Sequence, residues 1–271
     1  MTSDDRWLIA LDIDGTLLSQ RGEVAPEVRD EVARVDDAGH EVMLATGRSW
    51  AETKPVLDEL AISPEYVVCS NGAIVMKKDA LADMGYRREY VETFNPESVL
   101  KTVRPALPDG MFAVEDETGA YYFTESFPYV SQMNVSHQVD FDDLVHRDVT
   151  RVVVISPTDD TEAFLQVVEN MGLHRVTYHI GYTAWLDIAP DGVNKATALE
   201  KVREHLQIPR SRLFAAGDGR NDIEMLRWAA ELGRGVAMEG APPEVLEAAN
   251  ETCPPVHHHG LADALASLPE A

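Results

Sequence analysis

Two aspartates separated by one residue follow an apolar stretch near the start of the chain. Asp12-Ile13-Asp14-Gly15-Thr16 comes directly after Trp7-Leu8-Ile9-Ala10-Leu11, which has the composition of a buried strand. Side chains two apart on a strand point to the same side, so Asp12 and Asp14 can reach one small volume. Such close carboxylates repel each other unless a cation or a shared proton offsets their charge. The pair fits a site for Mg²⁺ and a phosphate, although an ordinary polar turn explains this segment equally well.

Further polar groups follow later apolar stretches. Thr46-Gly47-Arg48-Ser49 offers a hydroxyl and backbone N–H groups at a predicted helix start, which suits a phosphate oxygen but also describes a simple helix cap. Ser70-Asn71-Gly72-Ala73 follows the next apolar stretch. Lys195 opens a predicted helix, where a lysine is unfavourable unless an anion lies beside it. A phosphate or the carboxylates would supply that anion.

The segment Gly217-Asp218-Gly219-Arg220-Asn221-Asp222 completes a set of groups suited to phosphoryl transfer, although a glycine-rich helix cap would also explain it. Mg²⁺ binds about six oxygens, usually from a few carboxylates, waters and a phosphate. The protein's share could come from the Asp12 carboxylate, the Asp14 carbonyl and Asp218. Lys195, Thr46 and Asn221 would then hold the phosphate, and positioning with charge neutralisation is most of what this chemistry needs.

The segments that carry these groups alternate between strand and helix patterns. Strands are predicted over 7–13, 40–46, 66–70, 212–217 and 234–238, and helices over 26–38, 49–60, 194–206, 221–230 and 242–249. Such alternation predicts a doubly wound, mostly parallel, Rossmann-like α/β core. Open sheets of this kind bind ligands at the carboxyl ends of their strands, which is where the polar groups lie.

The middle of the chain has a different pattern, which predicts an inserted α+β cap domain over residues 83–188. The core would then comprise residues 1–82 and 189–271. In the cap, strands are predicted over 111–115, 120–124, 151–156, 175–180 and 184–188, helices near 96–104 and 160–171, and a hairpin over 114–120. Its polar and aromatic residues could contact a substrate: Glu115, Arg151, His179, Tyr182 and Trp185.

Composition limits the possible partners and location. The 271 residues carry a formal net charge of −24, which argues against nucleic acid or an anionic membrane as a partner. Only two cysteines occur, and the acidic N-terminal segment lacks the pattern of a signal peptide. We therefore expect a cytoplasmic protein, either a monomer or a homodimer.

Taken together, the four polar segments resemble the four motifs of haloacid dehalogenase-like phosphatases. Those motifs match Asp12-Ile13-Asp14-Gly15-Thr16, Thr46-Gly47-Arg48, Lys195 and 217–222 in order and spacing. Ser70-Asn71-Gly72-Ala73, Ile223-Glu224-Met225-Leu226 and Val236-Ala237-Met238 are similar to the Cof-like group of that superfamily, whose cap is inserted after the third strand.

The resemblance implies a role for each matching residue. Asp12 would be the nucleophile that forms an aspartyl-phosphate, and Asp14 would act as acid and then base. Asp12, Asp14 and Asp218 would bind Mg²⁺, with Asp222 binding through water or orienting Lys195. The substrate phosphate would contact four residues: Thr46, Gly47, Lys195 and Asn221. Arg48 would be a salt-bridge partner.

The resemblance implies a Mg²⁺-dependent phosphatase acting on small phosphorylated metabolites, such as sugar phosphates. Two alternatives stay open: a phosphomutase of the same superfamily, and a regulatory or binding protein that keeps the fold without turnover. The sequence does not name the substrate. The run His257-His258-His259 is a weak candidate for a further metal site, which would need more ligands in space.

Overall fold

The computed structural model describes residues 6–19, 21–125, 135–156, 164, 176–180 and 185–269, with only the backbone described for 83 and 176–180. The strands are β1 Leu8–Leu11, β2 Glu41–Leu44, β3 Tyr66–Cys69, β4 Ile74–Lys78, β5 Tyr86–Val91, β6 Met111–Asp116, β7 Tyr121–Phe123, β8 Ser136–Gln138, β9 Val149–Ile155, β10 Val176–Ile180, β11 Trp185–Pro190, β12 Leu213–Gly217, β13 Arg234–Met238 and β14 Glu251–Cys253. The helices are α1 Pro26–Asp37, α2 Trp50–Leu60, α3 Glu97–Ala106, α4 Phe141–Leu144, α5 Lys195–Leu206, α6 Ile223–Ala230, α7 Pro243–Leu246 and α8 Gly260–Ala266.

A parallel core sheet carries the predicted site, in the strand order β14-β13-β12-β1-β2. Alternate side chains of β1 enter two separate apolar clusters. Ile9 and Leu11 pack with residues of α1, α2 and α8, whereas Leu8 and Ala10 pack with residues of α5 and α6. Both faces of the sheet are therefore buried under helices, which is why β1 and β12 are continuously apolar. The predicted doubly wound α/β core is confirmed.

A second, antiparallel sheet of β3, β4 and β5 continues from the edge of the core sheet. A parallel bridge between Ala45 and Val68 links the two. Strand β3 was predicted, but β4 and β5 were not. The physical reason is clearest in β5, Tyr86–Val91, where the charged residues Arg87, Arg88 and Glu89 interrupt the apolar run at exposed and half-buried positions.

The cap sheet has the strand order β10-β11-β9-β6-β7-β8. Helix α3 packs Val99, Leu100 and Val103 against side chains of β6, β9 and β11. The predicted hairpin is present as β6 and β7, which pair antiparallel. The Asp116 carboxylate accepts backbone N–H groups of Thr118 and Ala120 in its turn. The predicted helix near 160–171 lies outside the described residues, apart from residue 164.

The predicted boundaries between the core and the cap, after residue 82 and after residue 188, stay predictions. Strand β5 follows the first of these boundaries in the sequence and pairs with β4. None of the helices in the described part of the chain is both long and apolar enough to cross a bilayer.

Candidate active site

Asp12 directly follows β1, which pairs with β12 on one side and with β2 on the other. Strands β1 and β12 pair in parallel with Leu11 opposite Ala216, and the Asp12 N–H donates to the Ala216 carbonyl at 3.0 Å. The chain segment after β12 therefore begins beside Asp12, and that segment carries Asp218. Parallel pairing brings together two aspartates that are more than 200 residues apart in the sequence.

Lys195 is a fully buried cation between the carboxylates of Asp12 and Asp222. Its Nζ lies 2.6 Å from Asp12 Oδ1 and 2.7 Å from Asp222 Oδ1, with none of its side chain exposed. The helix start places it there: the Asn194 side chain accepts the Thr197 N–H at 3.0 Å and so caps α5. The two carboxylates raise the pKa of Lys195 although burial opposes this, so the lysine stays charged.

Asp222 shapes the loop that follows β12. Its Oδ2 accepts the backbone N–H groups of Asp218 at 3.0 Å and Gly219 at 2.9 Å, while its Oδ1 accepts Lys195. A Cβ at position 217 would lie 2.4 Å from Asp222 Cγ, so this close approach requires glycine. Both oxygens of Asp222 accept hydrogen bonds, so Asp222 is suited to orient Lys195 and the loop.

The carboxylates of Asp12, Asp218 and Asp222 form a cluster suited to a cation. One oxygen from each lies within 4.8 Å of the others, and all three residues are buried. Burial, followed by the charge of Asp222, raises the pKa of the Asp12 carboxyl well above its usual value, although Lys195 opposes this. Three carboxylates and one lysine leave an excess negative charge, and carboxylate oxygens are the donors that Mg²⁺ prefers. These residues therefore fit the predicted magnesium ion.

Asp14 has a different environment from Asp12. Its side chain is 62% exposed and forms a two-point ion pair with Arg48, at 2.8 Å from Nε and 2.6 Å from Nη2. Arg48 thus contacts a carboxylate. The carboxylate of Asp14 is not a member of the buried cluster, so metal binding by Asp14 would use its carbonyl and stays a prediction.

Thr46, Gly47 and Asn221 lie around the ends of neighbouring strands. The Thr46 hydroxyl oxygen accepts the Arg48 N–H at 3.0 Å, which leaves its O–H able to donate. A Cβ on Gly47 would lie 3.2 Å from the Asn71 side chain. Asn221 donates to that same Asn71 side chain at 3.0 Å. The structure therefore brings Gly47 and Asn221 together through Asn71, and their phosphate-binding roles stay predictions.

Comparison with known proteins gives the chain its family. The model of the haloacid dehalogenase-like hydrolases matches residues 9–265. The chain is 30% identical over 275 residues to YkrA of Bacillus subtilis (strain 168), a match that covers 97% of this chain and 98% of YkrA. It is 28% identical to the 5-amino-6-(5-phospho-D-ribitylamino)uracil phosphatase YitU of the same organism, over 94% and 95% of the two chains.

The chain belongs to the haloacid dehalogenase-like hydrolase family. Its fold is similar to that of the sugar phosphatase BT4131 of HAD subclass IIB, with a TM-score of 0.80 at 22% identity over 96% of this chain and 98% of that one. The predicted family and its Cof-like group are confirmed. The prediction that the chain is an enzyme, a phosphatase of the phosphomonoester hydrolase class, is confirmed as well.

Sequence reasoning missed how the cap of this hydrolase is joined to its core. Glu115 and Arg151, predicted as possible substrate contacts, are both buried and form an ion pair at 2.9 Å. Asp187 pairs with Arg151 at 3.3 Å, and was not singled out in the sequence. A charged residue within a strand of apolar residues, as in Val149–Ile155 and Trp185–Pro190, is the signal that could have found this cluster.

The remaining candidates have no assigned ligand. Trp185 packs against an apolar cluster of the cap sheet; the His179 side chain and Tyr182 lie outside the described residues. His259 Nδ1 lies 3.4 Å from a Glu27 carboxylate oxygen. Within the described part of the chain, the side chains grouped closely enough to hold a metal ion are those of Asp12, Asp218 and Asp222. This group does not include His257-His258-His259.

Proposed function

We propose that this hydrolase is a Mg²⁺-dependent phosphatase of small phosphorylated metabolites that works through an aspartyl-phosphate on Asp12. The observation that carries the proposal is the buried contact of Asp12 with Lys195, beside Asp218 and Asp222. The names of two similar proteins, a ribitylaminouracil phosphate phosphatase and a sugar phosphatase, support a small organic phosphate as substrate. The two buried, unpaired cysteines support the predicted cytoplasmic location.

Asp12 is the group suited to attack phosphorus. Lys195 opposes the rise in the pKa of the Asp12 carboxyl that burial causes, and it holds one carboxyl oxygen at 2.6 Å, which leaves the other oxygen for the attack. The new bond joins that oxygen to phosphorus while the bond to the leaving alcohol breaks. Asp12, the Asp14 carbonyl and Asp218 would hold Mg²⁺, which would supply positive charge beside the phosphate oxygens.

Asp14 is the group suited to move protons. Its exposed carboxyl would give a proton to the leaving oxygen in the first half of the reaction. In the second half it would take a proton from the water that attacks the aspartyl-phosphate, which releases phosphate and restores Asp12. Both steps require Asp14 to leave its ion pair with Arg48. The Thr46 hydroxyl, the Asn221 amide and Lys195 would contact the other phosphate oxygens.

Phosphate release from para-nitrophenyl phosphate and from a panel of phosphorylated metabolites tests this proposal. We expect turnover with Mg²⁺, none with excess EDTA, and a loss of at least about a thousandfold in kcat for Asp12→Asn. The matched control is Asp58→Asn, at an exposed aspartate of α2, which should keep wild-type kcat.

Three results would speak against the proposal. Turnover in EDTA would contradict the proposed dependence on Mg²⁺. An active Asp12→Asn enzyme would contradict the proposed role of Asp12 as the nucleophile. Phosphate that appears on a second sugar position rather than in solution would identify a phosphomutase.

A further inference from the structure

A buried polar cluster joins the cap sheet to the core. It consists of Glu115, Arg151 and Asp187 from the cap strands and Ser70 and Asn71 from the turn after β3, and is called here the cap–core cluster. All five residues are buried. The Ser70 hydroxyl donates to Glu115 at 3.0 Å, and the Asn71 amide donates to Asp187 at 3.0 Å. Arg151 donates to the Gly47 carbonyl.

The cluster contains more negative than positive charge. Arg151 contacts both Glu115 and Asp187, so one guanidinium serves two carboxylates. Burial raises the pKa of both carboxyl groups, while Arg151 opposes that rise. The Ser70 and Asn71 donors add further stabilisation to the charged forms. The carboxylates of the cap are therefore fully satisfied only when the turn after β3 lies against them.

Asn71 transmits this contact to the phosphate side of the site. A carboxylate accepts and cannot donate, so Asp187 must face the Asn71 NH₂ group. That fixes the amide orientation and turns Asn71 Oδ1 toward Asn221, whose NH₂ group donates to it at 3.0 Å. An amide has two N–H groups. Asn221 therefore has one N–H fixed by Asn71 and a second that can donate to a phosphate oxygen.

The backbone of Asn71 supports the same loop. Its N–H donates to the Thr46 carbonyl at 3.0 Å, and the Ser70 N–H donates to the Arg48 carbonyl at 2.9 Å. A Cβ at Gly72 would lie 2.3 Å from the Asn194 carbonyl oxygen, so this turn also packs against the residue that precedes Lys195. The turn after β3 thus contacts the segments that carry Thr46, Lys195 and Asn221.

We propose that Asp187 is a positioning residue, which acts through Asn71 to orient the Asn221 amide for the phosphate when the cap lies against the core. Closure of the cap would then complete the phosphate site as well as exclude water. Because the group that is positioned contacts the transferred phosphate, the effect is the same for every leaving group. The inference rests on the proposed phosphatase function and on phosphate binding by Asn221.

The test is Asp187→Asn, which keeps the size of the side chain and leaves Arg151 paired with Glu115. Arg151 and Asn71 both donate to the same oxygen of Asp187, so an asparagine would place its neutral amide oxygen there. The hydrogen bond that fixes the Asn71 amide then loses its charge assistance. We expect kcat/KM to fall about tenfold to hundredfold for each phosphate ester, the loss of one charge-assisted hydrogen bond. The inhibition constant of inorganic phosphate should rise in parallel.

Tyr121→Phe is the matched control. The Tyr121 hydroxyl contacts Arg151 and Glu115 within the cap and is equally buried, but its described hydrogen bonds stay within the cap. We expect kcat/KM within about twofold of wild type. If Asp187→Asn does not fold, Asn71→Gly replaces it, because glycine accepts the φ of 52° at this position. It should give the same rise in the phosphate inhibition constant.

A double-mutant cycle with Asn221→Ala decides whether Asp187 acts through Asn221. We expect Asp187→Asn to lower kcat/KM by less than about threefold in the Asn221→Ala background. Additive losses overturn the proposal. So do an unchanged phosphate inhibition constant, which would indicate a structural role only, and a loss limited to one leaving group. If the wild-type enzyme releases no phosphate, the proposed function fails. If the wild-type enzyme is active and Asn221→Ala impairs it but Asp187→Asn does not, only this inference fails.

Discussion

Replacement of Lys195 by methionine should destabilise the fold strongly. Methionine has a similar length, so it leaves little cavity, but it removes the cation between Asp12 and Asp222. Lys195 is fully buried, and the two partner side chains are 6% and 0% exposed. Removing one partner of a buried ion pair costs about 3–5 kcal/mol, because the remaining charge stays uncompensated. That is a large part of the 5–15 kcal/mol by which domains are typically stable.

The loss of folding stability in Lys195→Met should depend on pH in a defined direction. Burial and Asp222 already raise the pKa of Asp12 in the folded state, and the variant loses the lysine that lowers it. The folded state then binds more protons than the unfolded chain between an unfolded pKa of about 3.9 and the raised folded value. Stability in this window falls as pH rises. The loss relative to wild type should therefore be largest near neutral pH and shrink as the pH approaches about 4.

Urea unfolding followed by circular dichroism, in EDTA, measures this effect. The control is Lys201→Met on the same helix: Lys201 pairs with Glu92 at 2.7 Å, but the two side chains are 45% and 42% exposed. Such a surface pair contributes at most about 1 kcal/mol. A loss below about 1 kcal/mol for Lys195→Met at pH 7, or a loss that grows as pH falls, would refute the reasoning.

Three further predictions concern close packing, thiols and the metal. Gly15→Ala should lower kcat/KM at least about a hundredfold, because the added Cβ would lie 2.0 Å from Asp218 Oδ2 and the backbone φ of residue 15 is +82°. Near wild-type kcat/KM in steady-state kinetics would contradict this prediction. Burial raises the pKa of both Cys69 and Cys253 to about 12, so a disulfide reagent should modify them only after unfolding, and rapid modification of the native protein would be contrary evidence. Since metal binding needs the Asp12 carboxylate and burial raises the pKa of its carboxyl, the acidic limb of kcat/KM should move to lower pH as Mg²⁺ increases; a fixed limb would count against Asp12 as a ligand.

The core and its cluster of aspartates could be predicted because their positions follow from local pattern and sheet geometry. Apolar strands alternate with capped helices, and parallel strands place their carboxyl ends at one edge. The helix start at Ser49 also followed from the sequence, and its capping box with Glu52 is present. By contrast, β5 escaped prediction because its charged residues hide the strand pattern.

Charged residues within apolar strands mark Arg151 and Asp187 in the sequence, but their partners in the core could not be predicted, because those contacts depend on where one sheet lies on another. Asp187 and Asn71 are 116 residues apart, and neither has a local pattern that indicates the other. Asn71 also adopts a left-handed backbone, with φ of 52°, that turns its side chain into the site. Such a contact is set by tertiary packing and not by local propensity or hydrophobic period.

The charges of the site explain why a metal and a closed cap belong to the same proposal. Its cations are already paired: Lys195 with Asp12 and Asp222, Arg48 with Asp14, and Arg151 with two cap carboxylates. A phosphate dianion would therefore enter a site with excess negative charge, in a protein of net charge −24. Local positive charge must come from an added dication, and directed N–H donors such as Asn221 must supply the rest. We therefore expect Mg²⁺ to bind before phosphate, so that the inhibition constant of inorganic phosphate rises steeply when the metal is removed.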